Sequence, residues 1–581
     1  MRGLALCVVL FVVACGPARR GDDFGDDGGS NGSNGSNGSN SGQGCSSDLH
    51  DVVDENGNVV ATCPPEQGCA DGQCVDACAA AAASQGSVGC DFTVATPSFY
   101  ATIAPPCFAV FLANNWPKDA AVTISRGGQN YDATTFGRVP NGSPTATSWP
   151  PVPATGVATA SVGVLFLSSD PSSVNGGPLA CPVTPAISQA GGTAVWTNSA
   201  SATGMGVAWH ITTSFPVSAY DILPYGGAIS YLPSAELVLP TSAWGTNYVT
   251  AGPFPSSGPA WGQLLAGTDA TTVSITPTAS LPAGTGVVAA PANATTTYSL
   301  NAGQYIQWQN SGEMAGSVIQ SDHPVSFTGG TGYLCLTSGT STGGGCDSGH
   351  QMIPPVSALG SEYVAPPYAT RRADLAEESI KYRLVGAADG TTLQYNPPVA
   401  GGPQTINVGQ VIEFEATGPF TMTSQDAMHP FYVGQYMSGC FVTSGSRPPG
   451  GCLGDEEFVN ILPPAQWLSS YVFFTDPTYT TTNLVVVRKN TGSGFQDVTI
   501  DCLGVIGNWK PVGTAGQYEI TNVDLQRGTP IGTCTNGLHT AGSSGAFNIM
   551  VWGLSDAASY AYPAGGNVGK INPVVVIGKH S

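Results

Sequence analysis

A phrase written three times constrains this chain more than any other feature. It reads Leu239-Pro240-Thr241-Ser242-Ala243-Trp244-Gly245-Thr246-Asn247-Tyr248-Val249, then Pro354-Pro355-Val356-Ser357-Ala358-Leu359-Gly360-Ser361-Glu362-Tyr363-Val364. The third copy is Leu462-Pro463-Pro464-Ala465-Gln466-Trp467-Leu468-Ser469-Ser470-Tyr471-Val472. A proline stands eight residues before the tyrosine in every copy, and the copies lie 115 and 108 residues apart. A fixed period of this size means one structural unit used repeatedly, which favours an extended binding scaffold over a single catalytic pocket.

Further markers recur in the same order around the phrase. A His-Pro step opens an apolar run at His323-Pro324-Val325 and His429-Pro430-Phe431, with Phe215-Pro216-Val217 in the first copy. A turn signal follows the phrase at Asp269-Ala270-Thr271-Thr272 and Asp389-Gly390-Thr391-Thr392, then at Asp497-Val498-Thr499, with an earlier version at Asp119-Ala120-Ala121-Val122. Next come Asn301-Ala302-Gly303-Gln304, Asn407-Val408-Gly409-Gln410 and Thr514-Ala515-Gly516-Gln517. These order three good repeats and a degenerate one nearer the N-terminus.

Each marker is a β signal. Asp and Gly accept turn geometry, and the β-branched residues after them favour strands. Runs such as Ser379–Val385 alternate in character with period two. Helical patterns are confined to Asp76–Gln85 and Ala373–Ile380. The expectation is an all-β chain with a repeat-built body over 91–581. One repeat has room for two four-stranded propeller blades of about 40–50 residues or for one β-sandwich of about 100 residues. Contiguity of the repeats favours the propeller; tandem β-sandwich domains are the alternative.

The N-terminus reads as an export signal. Residues 1–15 carry Arg2, the apolar run Leu4–Val13 and the closing Val12-Val13-Ala14-Cys15. That ending matches a bacterial lipobox, with Cys15 as the lipid attachment. Gly16 follows instead of Asp, which points to the outer membrane or cell surface. Residues 16–44, with Asp pairs and repeated Asn-Gly-Ser, make a flexible tether. No other stretch reaches the ~20 apolar residues of a spanning helix, so lipid is the expected membrane attachment.

Fourteen cysteines remain beyond Cys7 and Cys15. Cys45, Cys63, Cys69, Cys74, Cys78 and Cys90 crowd a short module, 45–90, with too few apolar residues for a core. Six cysteines allow fifteen pairings and the sequence does not choose among them. Cys335 with Cys346, and Cys440 with Cys452, hold equivalent repeat positions, which leaves Cys107 with Cys181 and Cys502 with Cys534. A zinc site in the module is disfavoured by the absence of histidines at finger-like spacing.

Charged residues are only 9% of the chain and the net charge is −21. With no basic stripe, nucleic acid is excluded as an expected partner. Gly339-Thr340-Ser341-Thr342-Gly343 fits a hydrolase pattern, but it lies in low-complexity sequence inside the Cys335–Cys346 loop, not between a strand and a helix. His323 and His429, with Asp322 and Asp426 nearby, stand at equivalent strand starts rather than in one constellation. Arg371-Arg372-Ala373-Asp374-Leu375-Ala376-Glu377-Glu378 is the densest charge and reads as a solvated turn, or as a recognition loop.

The run from Cys335 through Cys346-Asp347-Ser348-Gly349-His350-Gln351-Met352 to Val364 resembles the N-terminal domain of the IgGFc-binding protein family. The resemblance extends roughly from Cys181 to Pro563 and carries no catalytic motif. It implies an all-β fold and a binding or adhesion role towards an extracellular glycoprotein, polysaccharide or cell surface. The tether, the lipobox and the Cys-rich module resemble those of exported myxobacterial-type lipoproteins. No catalytic, cofactor or metal residue is assigned at this point. Trp, Tyr and Asn are the expected contact residues. The competing readings are a self-associating envelope component and a hydrolase or lyase, which would need carboxylates or His gathered on one face.

Overall fold

The computed structural model describes residues 43–55, 57–175, 177–188, 203–229, 232–253, 256–449 and 451–578. The leader, Cys15 and the tether up to residue 42 lie outside the described residues. The all-β expectation holds, and the body contains four repeats, the degenerate first one included.

Each repeat is organised round one long strand whose first and second parts pair with different neighbours. In the second repeat this is Val318–Leu334. Its first part pairs with Gly245–Val249 and Thr271–Thr276, and its second part with Ala260–Ala266 and Asp347–Met352. The long strands Trp209–Leu223 and Leu538–Ser555 are used in the same way in the first and fourth repeats. In the third the strand is broken into Phe420–Thr423 and Phe431–Met437. One repeat therefore builds one continuous sheet of eight or nine strands, divided only in the third repeat, and the two-blade expectation is not confirmed.

The markers explain this construction. His323-Pro324 sits where the long strand changes partners, and the ladder shifts register there. Proline donates no ladder hydrogen bond, so the bend falls where none is needed. The Asp and Asn turns hold each other: Ala302 N donates to Asp269 Oδ1 at 3.0 Å while Ala270 N donates to Asn301 Oδ1 at 3.2 Å. The third repeat copies the exchange with Asp389 and Asn407. The glycine between them, Gly303 or Gly409, has φ of 74° or 70°, a conformation that favours glycine.

The repeated phrase has its own geometry. Pro240, Pro355 and Pro463 each precede one 3-10 turn. The tyrosine eight residues on is buried and bonds twice. Tyr248 Oη donates to Val325 O at 2.6 Å and accepts from Gly245 N at 2.9 Å. Tyr363 does the same with Phe431 O and Gly360 N, and Tyr471 with Phe547 O and Leu468 N. This clamp pins the start of each repeat to the bend of its long strand. Phe92 takes the place in the first repeat, opposite Ile211.

Helix forms where Asp76–Gln85 suggests it, over Ala77–Ser84, with Asp76 accepting from Ala79 N as N-cap. The second helical candidate, Ala373–Ile380, is a turn instead, with Leu375 at positive φ. The Cys-rich segment folds as small sheets stapled by Cys45–Cys69 and Cys63–Cys74. Cys78–Cys90 joins its helix to Val88–Val94, the first strand of the first repeat.

The last strand of each repeat faces the others. Ser234–Val238 packs on Asp347–Met352, which packs on Glu457–Asn460, which packs on Ala558–Pro563, which returns to Ser234–Val238. No ladder joins these four inner strands; each pairs only with its own long strand. They are edge strands, and side chains must serve their free backbone groups.

Candidate functional site

Two places gather the residues that carry chemistry: an outer surface of loops, and the axis between the inner strands.

On the outside, three segments singled out in the sequence converge. Cys335–Cys346 and Cys440–Cys452 are disulfide-closed, and the loops bond to each other. Thr342 N donates to Phe441 O at 3.1 Å, and Ser341 Oγ to Gly439 O at 2.5 Å. The 371–379 segment joins both: Ala373 N donates to Gly445 O at 2.8 Å, and Ser379 N to Thr340 Oγ1 at 2.8 Å. Phe441 and Leu375 are 58% and 64% exposed on this surface, beside the ion pair Arg372–Asp374 at 2.6 Å. Rigid loops presenting apolar tips among paired charges suit recognition of a macromolecule.

The same segment overturns a reading of the acidic run. Arg371 and Glu378 are not a solvated turn; both are buried, joined at 2.7 Å, and Arg371 also donates to Ser438 O at 2.8 Å. Of the charged residues in the run, Arg372, Asp374 and Glu377 lie towards solvent. Ser341 of the hydrolase-like motif is buried and holds the loop, with no histidine bonded to it. His323 pairs with Asp322 at 3.0 Å and His429 with Asp426 at 2.7 Å, each at its own strand bend.

The axis was not legible in advance. Ser234, Glu236, Asp347, His350, Gln351, Asp455, Glu456, Glu457 and Ser559 are all buried there, with Asp221 and Asp476 beside them. Some serve the free strand edges. Gln351 Nε2 donates to Ala235 O at 2.9 Å and to Ala561 O at 3.3 Å. Glu457 accepts from Ser234 Oγ at 3.1 Å and from Ala561 N at 3.2 Å. Ser559 N donates to Asp347 Oδ2 at 3.0 Å. His350 Nε2 meets Asp221 Oδ1 at 2.9 Å, and Glu236 stands directly across the ladder from Asp221.

So many acids cannot all ionise in a dry interior. Burial, then the proximity of Asp455, pushes the Glu456 carboxyl up to about 10. Burial raises Asp455 and Asp476 to about 6 each, and holds Glu457 well above the carboxylate range. Burial together with neighbouring acids raises Asp347 and Glu236 in the same direction. The face of carboxylates that an enzyme would need does exist, but it is enclosed. A small cavity beside it, lined by Tyr220, Asp221, Ala235, Asp476, Tyr560 and Tyr562, admits about one water-sized sphere.

The disulfides fall as Cys45–Cys69, Cys63–Cys74, Cys78–Cys90, Cys107–Cys181, Cys335–Cys346, Cys440–Cys452 and Cys502–Cys534. The expected role of tryptophan in contacts fails for the described residues: all are buried except Trp509, which is half-buried under Arg488.

Fold and site together define a disulfide-stapled β-repeat protein. The chain belongs to the IgGFc binding protein family, whose model matches residues 234–553, over half of it. The match begins at the inner strand of the first repeat and ends in the long strand of the fourth. The human IgGFc-binding protein is 26% identical over 262 residues, 44% of this chain. Those residues span only 4% of that relative.

Proposed function

We propose that this chain is an exported protein, lipid-anchored through Cys15 and displayed at the cell surface, whose β-repeat body binds an extracellular protein or glycan without catalysis. The observation that carries this reading is the family match over 234–553, which includes both disulfide loops and the 371–379 segment. Seven disulfides suit an oxidising location. No described helix is long and apolar enough to cross a membrane. The binding surface is the convergent loop patch, with Phe441 as its apolar contact.

The test is an array of glycans and glycoproteins, with antibody Fc among them, probed with oxidised protein from residue 16 onward. Expected is reproducible binding to one ligand class, weakened on the order of tenfold by Phe441→Asp. Well-folded protein that binds nothing would overturn the reading and favour self-assembly, which size-exclusion chromatography detects.

A further inference from the structure

Asp221, Glu236 and His350 come from three strands and two repeats. Asp221 lies on the long strand of the first repeat, Glu236 on its inner strand, and His350 on the inner strand of the second. One ligand atom from each lies within 4.8 Å of the other two, and all three residues are buried. We propose that this triad binds one first-row transition-metal dication, Zn²⁺ fitting best, and that the ion ties the first repeat to the second.

Four observations support it. Asp221 Oδ2 and Glu236 Oε2 are enclosed with no donor in hydrogen-bond geometry, and the two carboxyls face each other. Two carboxyls opposed across a ladder in a dry interior need something positive between them, a proton or a metal ion. The Nε2–Oδ1 separation of 2.9 Å, a hydrogen-bond distance, needs to open by only about 0.4 Å to reach the roughly 3.3 Å edge of a tetrahedron with bonds of about 2.0 Å. The donor set, one imidazole and two carboxylates, favours zinc-like ions over Mg²⁺ or Ca²⁺, which prefer oxygen alone. Finally, the adjoining cavity lined by Asp221 and Asp476 has room for one water as a fourth ligand, and Asp476 Oδ2 has no protein partner either. The other such grouping, Asp501, Cys502 and His539, offers no thiolate because Cys502 is bonded to Cys534.

This inference stands apart from the proposed binding role. Because the site is buried, the ion enters as the chain folds. The full chain, disulfides intact, is refolded with or without Zn²⁺ or Co²⁺ and dialysed against EDTA. Metal is then counted by elemental analysis and melting is followed by circular dichroism. Expected are one ion per chain, a melting point several degrees higher with metal, and visible d–d absorbance for Co²⁺. Glu236→Gln, isosteric with the protonated acid and therefore able to fold, and His350→Gln should each cut retained metal at least tenfold. Wild-type protein that keeps under a tenth of an equivalent and melts at the same temperature with and without Zn²⁺ would overturn the proposal and leave a shared proton between the carboxyls. Equal metal retention by the variants would overturn it too.

Discussion

The tyrosine clamp offers a test of why the repeated phrase exists. Tyr363→Phe removes one oxygen and keeps the ring that packs on Phe431 at 4.9 Å. That oxygen donates to Phe431 O at 2.6 Å and accepts from Gly360 N at 2.9 Å, and all three groups are enclosed. Deleting it strands a carbonyl and an amide with no route to water. An unsatisfied buried group costs about 1–3 kcal/mol, so two of them should cost roughly 2–6 kcal/mol. No cavity of consequence is made, so the loss should be independent of packing. The measurement is equilibrium denaturation of oxidised wild type and variant, followed by fluorescence and circular dichroism. The midpoint should fall with little change in slope. The equivalent change at Tyr248 or Tyr471 should give a similar loss. A loss under about 0.5 kcal/mol at Tyr363 would refute the reasoning, and the phrase would then owe its recurrence to the Pro and Gly positions alone.

Three other outcomes follow from the same geometry. Gly360→Ala places a methyl 2.4 Å from Pro463 Cβ and should cost about 1–3 kcal/mol in thermal or denaturant unfolding. Glu378→Ala leaves the enclosed Arg371 charge without its carboxylate and should cost about 3–5 kcal/mol, read by the same method. Glu456 binds its proton more tightly folded, at about 10 against an ordinary 4.5, so its stabilising contribution is complete below about pH 4.5 and is lost as pH rises towards 10. Between those limits the folded state holds the extra proton, and this one group lowers stability by up to about 1.4 kcal/mol per pH unit. Glu456→Gln keeps an acceptor for Leu336 N and should flatten the decline measured at pH 5, 7 and 9; an unchanged slope would sink the assignment.

Much of the architecture is written locally. The Pro-to-Tyr spacing, the His-Pro bend and the reciprocal Asp and Asn turns are contacts within one repeat, so each copy carries its own instructions. The four cysteines at repeat-equivalent positions are legible for the same reason: Cys335–Cys346 and Cys440–Cys452 close short loops. The partition into sheets was not legible. Strand signals say that a segment is extended, not which neighbour it joins, and a long strand that changes partners along its length looks the same as two shorter ones. Residues 371–378 misled because charge is usually solvated; only the fold encloses Arg371 and Glu378 while leaving Arg372 and Asp374 outside.

The sequence by itself determined a disulfide-stapled, all-β repeat chain and its family, since period, turn chemistry and cysteine spacing are properties of the chain. The axis was decided by tertiary structure alone. Asp221, Glu236 and His350 share no recognisable spacing, and Asp455-Glu456-Glu457 carries no local signal that it will be buried. They meet because four edge strands close on one another, and an enclosed ring of free backbone edges draws polar side chains inward to serve it.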